Sequence, residues 1–431
     1  MILKIKSSNE KLLDVLCKNP DTDSGLYCKP LKNGQIIGNA VSKNEYEVVF
    51  QDKKYSYCPE DSNAIDYQSY CSPLAVLHVC NELFGHILKS RAAFAETPVK
   101  WLGITQGEVD NAACTIEIPS FYIDSTWYRN GKFLLSKYFE GIEVVQQSHR
   151  IFRLTVTGKS VFDAFNLLAL VAIFAHVTNT YGMFIFIDDS LAQKLGRILT
   201  NIENVPYFVF YLYIMRAVRS VRQFEELKPV FERYLANNGL QANLVIESTV
   251  RQRTTFITNL LELDIPILDV GCGELIYYKK MKARDFAAPY YAVDKNTDME
   301  QLAEIIAGRY EDNNLLFYPS LEAFTSGEQV NILLTEVIEH NSLDEAKELI
   351  TKALSYNFNK LIITTPNVEF NPFYSMEDEF RHKDHCFELT REAFQSLITS
   401  CIKGNNVDVE YFYLGDSLNG IQPTQGCIIK K

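Results

Sequence analysis

The run T-E-V-I-E-H places Glu336, Glu339 and His340 at positions i, i+3 and i+4. On a helical turn, that spacing sets all three side chains on one face. Two carboxylates so close repel each other; a divalent cation with the imidazole as third ligand relieves the repulsion. A second run, R-H-K-D-H-C-F-E, brings Arg381, His382, Asp384, His385 and Glu388. Three of the chain's seven histidines thus stand at 340, 382 and 385. A mixed oxygen and nitrogen donor set suits Mn²⁺, Fe²⁺ or Zn²⁺ better than Mg²⁺, which prefers oxygen. The pattern H-E-x-x-H is not written here, and no cysteine lies at ligand spacing. Neither a zinc-protease site nor a closed structural zinc site is expected.

A second constellation lies upstream. I-L-D-V-G-C-G-E (Ile267–Glu274) reads as a strand that turns into a helix. Gly271 and Gly273 let the backbone turn tightly and approach a ligand closely. The next strand ends in Y-A-V-D, with Asp294 placed to accept hydrogen bonds from both ribose hydroxyls of an adenosine. NAD is the competing ligand, but Ile276 stands where its fingerprint needs a third glycine. Asp269, two residues before the first glycine, resembles the acidic start of methyltransferase motif I, so S-adenosylmethionine is the favoured cofactor. Leu275 stands where many methyltransferases carry a smaller residue, so a looser contact is expected there. Ser320, in F-Y-P-S-L, and Thr335, at the end of the strand before Glu336, complete the expected cofactor contacts.

These residues need a scaffold, and the pattern after Gly239 supplies one. Strands are expected at Pro266–Val270, Tyr290–Val293, Val330–Leu334 and Lys360–Thr364, with helices between them, including Leu343–Ser355. A helix near Thr390–Ser400 and strands at Val407–Tyr413 and Cys427–Ile429 close the chain. Such alternation means an α/β domain: a Rossmann-like, mostly parallel sheet covered on both faces, with an antiparallel edge. Both metal-binding candidates and glycines then fall at the carboxyl ends of strands, where open sheets bind ligands.

The preceding half reads as an α+β region. Strands Tyr46–Phe50, Cys114–Ile118 and Ile142–Val145 accompany a helix over about Ser72–Ser90, with Leu74, Leu77, His78, Phe84, Ile87 and Leu88 at helical spacing. Residues from about Ser160 to Asn237 are helical, ending near Asn238-Gly239. The expected division is 1–240 and 241–431, with a further break near 150. His78, His86, His149 and His176 are expected to be structural.

Bulk properties exclude some classes. A net charge of -12 argues against a general nucleic-acid coat. Ten cysteines without a C-x-x-C pair read as reduced thiols of a cytoplasmic protein. The start MILKIKSSNEKLLDVL is not a signal peptide, because Lys4 and Lys6 interrupt its apolar stretch. The apolar segments Phe165–Ile187 and Val205–Ala217 read as core: Asn166, His176 and Asn179 break the first, and the second is too short to span a bilayer.

E-V-I-E-H, T-P-N-V-E-F-N (Thr365–Asn371), R-H-K-D-H-C-F-E and the closing P-T-Q-G-C-I-I (Pro423–Ile429) together resemble the HUA-enhancer family of small-RNA 3′-terminal 2′-O-methyltransferases, most of all its bacterial branch. The resemblance covers about 190 residues. It implies that Glu336, Glu339, His340 and His385 are the catalytic metal ligands, with Mn²⁺ preferred and Mg²⁺ second. His382 falls on a variable position and is not counted as a ligand. The implied reaction moves a methyl group to the 2′-hydroxyl of an RNA 3′-terminal nucleotide. A cation bound to both the 2′- and 3′-oxygens would activate the hydroxyl and select an RNA end. Arg253, Asn367, Arg381 and His382 are the expected RNA contacts. Leu389 replaces the family's usual Trp, and Asn341 an apolar residue. The regions around Tyr67–Ser90 and Asn166–Asp189 look like the N-terminal half of bacterial members. That implies docking on a polynucleotide kinase-phosphatase and its RNA ligase during RNA repair. The alternatives are a ligase-activating scaffold with methylation secondary, and a metal-dependent small-molecule O-methyltransferase.

Overall fold

The computed structural model describes residues 1–18, 25–52, 71–179, 189–244, 247–376 and 379–431. Two compact units emerge, Met1–Gly239 and Leu240–Lys431.

The first unit is built on a seven-stranded antiparallel sheet. Its strands are β1 (Ile2–Ser7), β2 (Gly25–Pro30), β3 (Gly34–Ser42), β4 (Glu45–Asp52), β5 (Cys114–Tyr122), β6 (Ile142–Ser148) and β7 (Ile151–Gly158). Their spatial order is β6-β7-β5-β1-β4-β3-β2. Alternation along β1 and β7 buries Leu3, Ile5, Phe152, Leu154 and Val156 against helices. Among these are α1 (Pro73–Leu83), α2 (Val161–Val177), α3 (Asp189–Asn201), α4 (Tyr207–Ala217) and α5 (Val221–Asn237). Helix α1 starts where Ser72 caps the Leu74 N–H at 3.2 Å, but it stops at Leu83 rather than near Ser90. Gly85 follows at once, and a Cβ there would lie 2.4 Å from the Asn81 carbonyl oxygen. Ile87 and Leu88 still reach the core, from a turn instead of a helix. Helix α2 is apolar all round because it is buried all round: Leu168 to Phe174 are wholly inaccessible. No helix among the described residues is long and apolar enough to cross a membrane. Residues 67–70 and 180–188 of the patterns noted above lie outside the described residues.

The second unit carries α6 (Thr249–Leu260), β8 (Ile267–Val270), α7 (Ile276–Lys282), β9 (Tyr290–Val293), α8 (Asp298–Tyr310), β10 (Leu315–Tyr318), β11 (Val330–Thr335), α9 (Leu343–Ser355), β12 (Phe358–Pro366), α10 (Arg391–Ile402), β13 (Asp408–Leu414) and β14 (Thr424–Lys430). The sheet order is β10-β9-β8-β11-β12-β14-β13. Strands β8, β9 and β11 are buried along their whole length, as both faces of a parallel sheet require. Leu268, Val270, Ile332, Leu334, Leu361 and Ile363 pack into one core layer; Ile267, Ala292, Leu333 and Ile362 pack into the other. The antiparallel member is β14, which sits one strand in from the edge, between β12 and β13. The chain reverses between β8 and β11, so the carboxyl ends of these two strands form the switch point at which α/β sheets bind ligands.

Candidate active site

The glycine turn stands at the end of β8. The Gly271 N–H donates to the Val293 carbonyl at 2.8 Å, which ties the turn to β9. Gly271 has φ +75°, and a Cβ there would lie 2.4 Å from Val337 Cγ2. Gly273 has φ +46° and donates its N–H to Asp294 Oδ2 at 3.0 Å. The other Asp294 oxygen accepts from the Asn296 N–H at 2.9 Å, so the carboxylate is fixed in direction. Leu275 is left-handed at φ +58° and wholly buried. It is a core residue under the turn, which explains why a larger side chain is accommodated. Asp269 also lies beneath the turn: it is 1% exposed and accepts from the Tyr290 hydroxyl at 2.5 Å. Burial pushes its carboxyl up to about 7. Thr335 is likewise buried, at the end of β11.

Glu336 departs from the helical turn expected of it. It is left-handed at φ +55°, and only Ile338–His340 form a short 3-10 turn. Glu336 lies outside the group of three converging ligand atoms, while its charge still acts on Glu339. Its carboxylate accepts from Thr364 Oγ1 at 3.0 Å and pairs with Arg253 at 2.9 Å. Glu339, His340 and His385 do converge, offering three ligand atoms within 4.8 Å of one another. The link between the two motif runs is a backbone bond from the Cys386 N–H to the Glu339 carbonyl at 2.7 Å. Glu339 is fully buried; one of its oxygens accepts from Thr365 Oγ1 at 3.0 Å. The other has no hydrogen-bond partner among the described residues. Burial, with Glu336 next, holds this carboxyl well above the usual carboxylate range.

Both imidazoles are oriented by carboxylates. His385 Nδ1 lies 2.7 Å from Glu388 Oε1, and His340 Nδ1 lies 3.2 Å from Asp384 Oδ2. Each Nδ1 thereby has a partner, which leaves Nε2 for a metal. A buried carboxylate oxygen without a donor, beside two imidazoles held this way, is a donor set that fits a divalent cation. Sequence reading gave Asp384 and Glu388 no role. The signal was present for Glu388, which lies three positions after His385. Glu388 also accepts from the Arg381 N–H at 2.7 Å and from Asn371 Nδ2 at 2.6 Å.

The expected RNA contacts divide. Arg381 is partly buried and donates to Asn371 Oδ1 (2.7 Å), the Pro423 carbonyl (2.5 Å) and the Asn367 carbonyl (2.5 Å). It ties the Asn367–Asn371 segment to Pro423 instead of facing solvent. Asn367 is fully buried and donates to the Gln422 carbonyl at 3.0 Å. Arg253 is spent on Glu336. His382 is exposed and paired with Asp384. Leu389 packs against the core, and Asn341 turns its amide onto the Val337 carbonyl at 2.9 Å.

One cleft of about 580 Å³ connects these features. Gly271, Asp294 and Ser320 line one part of it, and Glu336, His340 and Asp384 another.

Comparison with known proteins agrees with this layout. The family model described as Hen1 N-terminal domain matches residues 2–236. The chain superposes on a chain of the solved Pnkp1/Rnl/Hen1 RNA repair complex with a TM-score of 0.88 and 47% identity, covering 100% of both. The small RNA 2′-O-methyltransferase of Caenorhabditis elegans is 40% identical over 69 residues, 16% of this chain and 16% of that protein. The Rattus norvegicus protein of the same name is 25% identical over 192 residues, 41% of this chain and 48% of that protein. The chain thus spans about half or less of the length of these curated relatives. With the match to its first unit covering more than half of its length, the chain belongs to the Hen1 N-terminal domain family.

Proposed function

We propose that the chain transfers a methyl group from S-adenosylmethionine to the 2′-hydroxyl of the 3′-terminal nucleotide of RNA. The observation that carries this reading is the single cleft shared by the glycine turn with Asp294 and by the Glu336–His340 segment. The proposed cofactor seat and the Glu336 and His340 side of the proposed cation site line one space, so a methyl donor and an activated hydroxyl could meet there.

Each part of the chain has a task. Asp294, held by the Gly273 and Asn296 N–H groups, presents its carboxylate to the ribose of the cofactor. Gly271 and Gly273 keep side chains out of the approach. Glu339, His340 and His385, with Glu336 alongside, would hold the cation. The cation, when bound, would lower the pKa of a ribose hydroxyl and orient it. Glu388 and Asp384 keep both imidazoles in the ligating orientation. Selection of an RNA end follows if both terminal hydroxyls are needed, because internal nucleotides lack a free 3′-hydroxyl and DNA lacks the 2′-hydroxyl. Mn²⁺ is the favoured cation, since imidazole nitrogen suits it better than Mg²⁺.

The first unit is proposed to dock on a polynucleotide kinase-phosphatase and an RNA ligase in an RNA-repair assembly. The full-length likeness to a chain of such a complex supports this. A cytoplasmic setting accords with the free cysteines among the described residues.

The test is methyl transfer to a 3′-hydroxyl RNA by the wild type, Glu339→Ala and His385→Ala, alongside calorimetric binding of S-adenosylmethionine. Both variants should lose transfer and keep cofactor binding, and a chelator should silence the wild type until Mn²⁺ is restored. Wild-type turnover in either variant would remove the cation from the reaction.

A further inference from the structure

Arg253 was expected to reach for RNA phosphate, and the structure places it elsewhere. It sits on α6, whose start is fixed by the Arg251 N–H donating to Ser248 Oγ at 3.3 Å. Its side chain is only 14% exposed, and its guanidinium lies 2.9 Å from Glu336 Oε2. Its Nε has no hydrogen-bond partner among the described residues. Burial opposes its charge, but Glu336, then Tyr277 and Glu339, more than restore it. A buried, permanent positive charge therefore stands beside one candidate ligand and within the field of a second.

We infer that Arg253 is a charge-setting and positioning residue of the cation site: it holds Glu336 in place and offsets one of the two carboxylates. The inference rests on the reading of Glu336–His340 as a cation site. With Arg253 present, the two glutamates, both ionised once a cation is bound, and the guanidinium sum to one negative charge. Without it they sum to two, and a divalent cation binds more tightly. The guanidinium also compensates the half-buried carboxylate of Glu336. Thr364 Oγ1 and Arg253 between them take one donor to each oxygen, so its direction is set from two sides. Removing either charge alone leaves the other buried without a partner, which is the costly case for a buried ion pair.

The experiment is a titration of full-length protein with Mn²⁺, followed by the electron paramagnetic resonance signal of the free ion. Arg253→Met should tighten binding by roughly two-hundredfold, the effect of one unit charge on a divalent ion about 7 Å away at an effective dielectric of about 30. Arg253→Lys keeps the charge and should bind with affinity close to that of the wild type. In a Glu336→Gln background Arg253→Met should still tighten binding, because the guanidinium repels the cation whether or not its partner is present. Unchanged or weaker Mn²⁺ binding by Arg253→Met overturns the inference. Where the single variant fails to fold, thermal melting without added metal decides. Arg253→Met/Glu336→Gln should then melt above Glu336→Gln, and a double variant no more stable than the single one overturns the inference equally. Absence of stoichiometric Mn²⁺ binding by the wild type is a different result, and it would reject the cation site itself.

Discussion

Glu388 reaches no substrate, yet the geometry of His385 depends on it. Its side chain is wholly inaccessible and fixed by the Arg381 N–H and the Asn371 amide. Groups that orient a metal-binding histidine typically account for 10–100-fold in affinity. Glu388→Gln is therefore expected to weaken Mn²⁺ binding by about that factor while S-adenosylmethionine still binds, measured by calorimetry with each ligand. Glu339 sets a pH dependence. Its carboxyl titrates well above the usual range because it is buried and beside Glu336. The protonated form is favoured until that raised pKa is passed, and cation binding needs the ionised form. Mn²⁺ affinity should thus rise with pH through the neutral range, and Glu339→Gln should flatten that rise along with losing most of the affinity. The adjacency of Glu339 and His340 was legible from residue type and spacing, whereas His385 was named as a ligand only through the family resemblance. The place of Glu336 outside the group these three form was not legible, since no side-chain period encodes its left-handed backbone. Arg381 was misleading for a related reason: an arginine bound to three internal acceptors looks the same in sequence as one facing phosphate.

At the scale of elements, the turn after β8 is the most exacting junction. Gly271 needs both a positive φ and clearance from Val337, whereas Gly273 needs only the positive φ. Gly271→Ala should abolish cofactor binding by forcing Val337 and the adjoining segment aside. Gly273→Ala should weaken it less, by about 1 kcal/mol of backbone strain; binding isotherms for both variants check the order. Helix α2 offers a separate test. His176 is 3% exposed, and neither ring nitrogen has a hydrogen-bond partner among the described residues. Burial lowers its pKa to about 4. The unfolded chain therefore binds a proton that the folded one refuses between the ordinary histidine value near 6.5 and about 4. Its contribution is fully present above that window and is lost as pH falls through it, at up to about 1.4 kcal/mol per pH unit. His176→Leu should reduce the acid sensitivity of the first unit in pH-dependent urea melts. The parallel strands were legible because continuous apolar runs mark strands buried on both faces. The position of β14 inside β13 was not, because strand order depends on tertiary pairing rather than local pattern. The end of α1 was missed because Ile87 and Leu88 keep helical spacing while leaving the helix.

On the scale of the whole molecule, each unit has its own sheet and its own core. Calorimetric unfolding should show two transitions, and S-adenosylmethionine should raise only the one that belongs to residues 240–431. A single transition shifted as a whole would mean that the units do not melt independently. The proposed division of labour, docking by the first unit and methyl transfer by the second, then comes down to what the cleft selects. The most direct measurement supplies wild-type protein, labelled S-adenosylmethionine and Mn²⁺ with three RNAs that differ only at the 3′ end. One ends in a 3′-hydroxyl, one in a 3′-phosphate and one in a 3′-deoxy nucleotide. Label should enter the first alone, at the terminal 2′-oxygen. Equal transfer to the 3′-deoxy RNA would contradict a site that reads both hydroxyls through one cation.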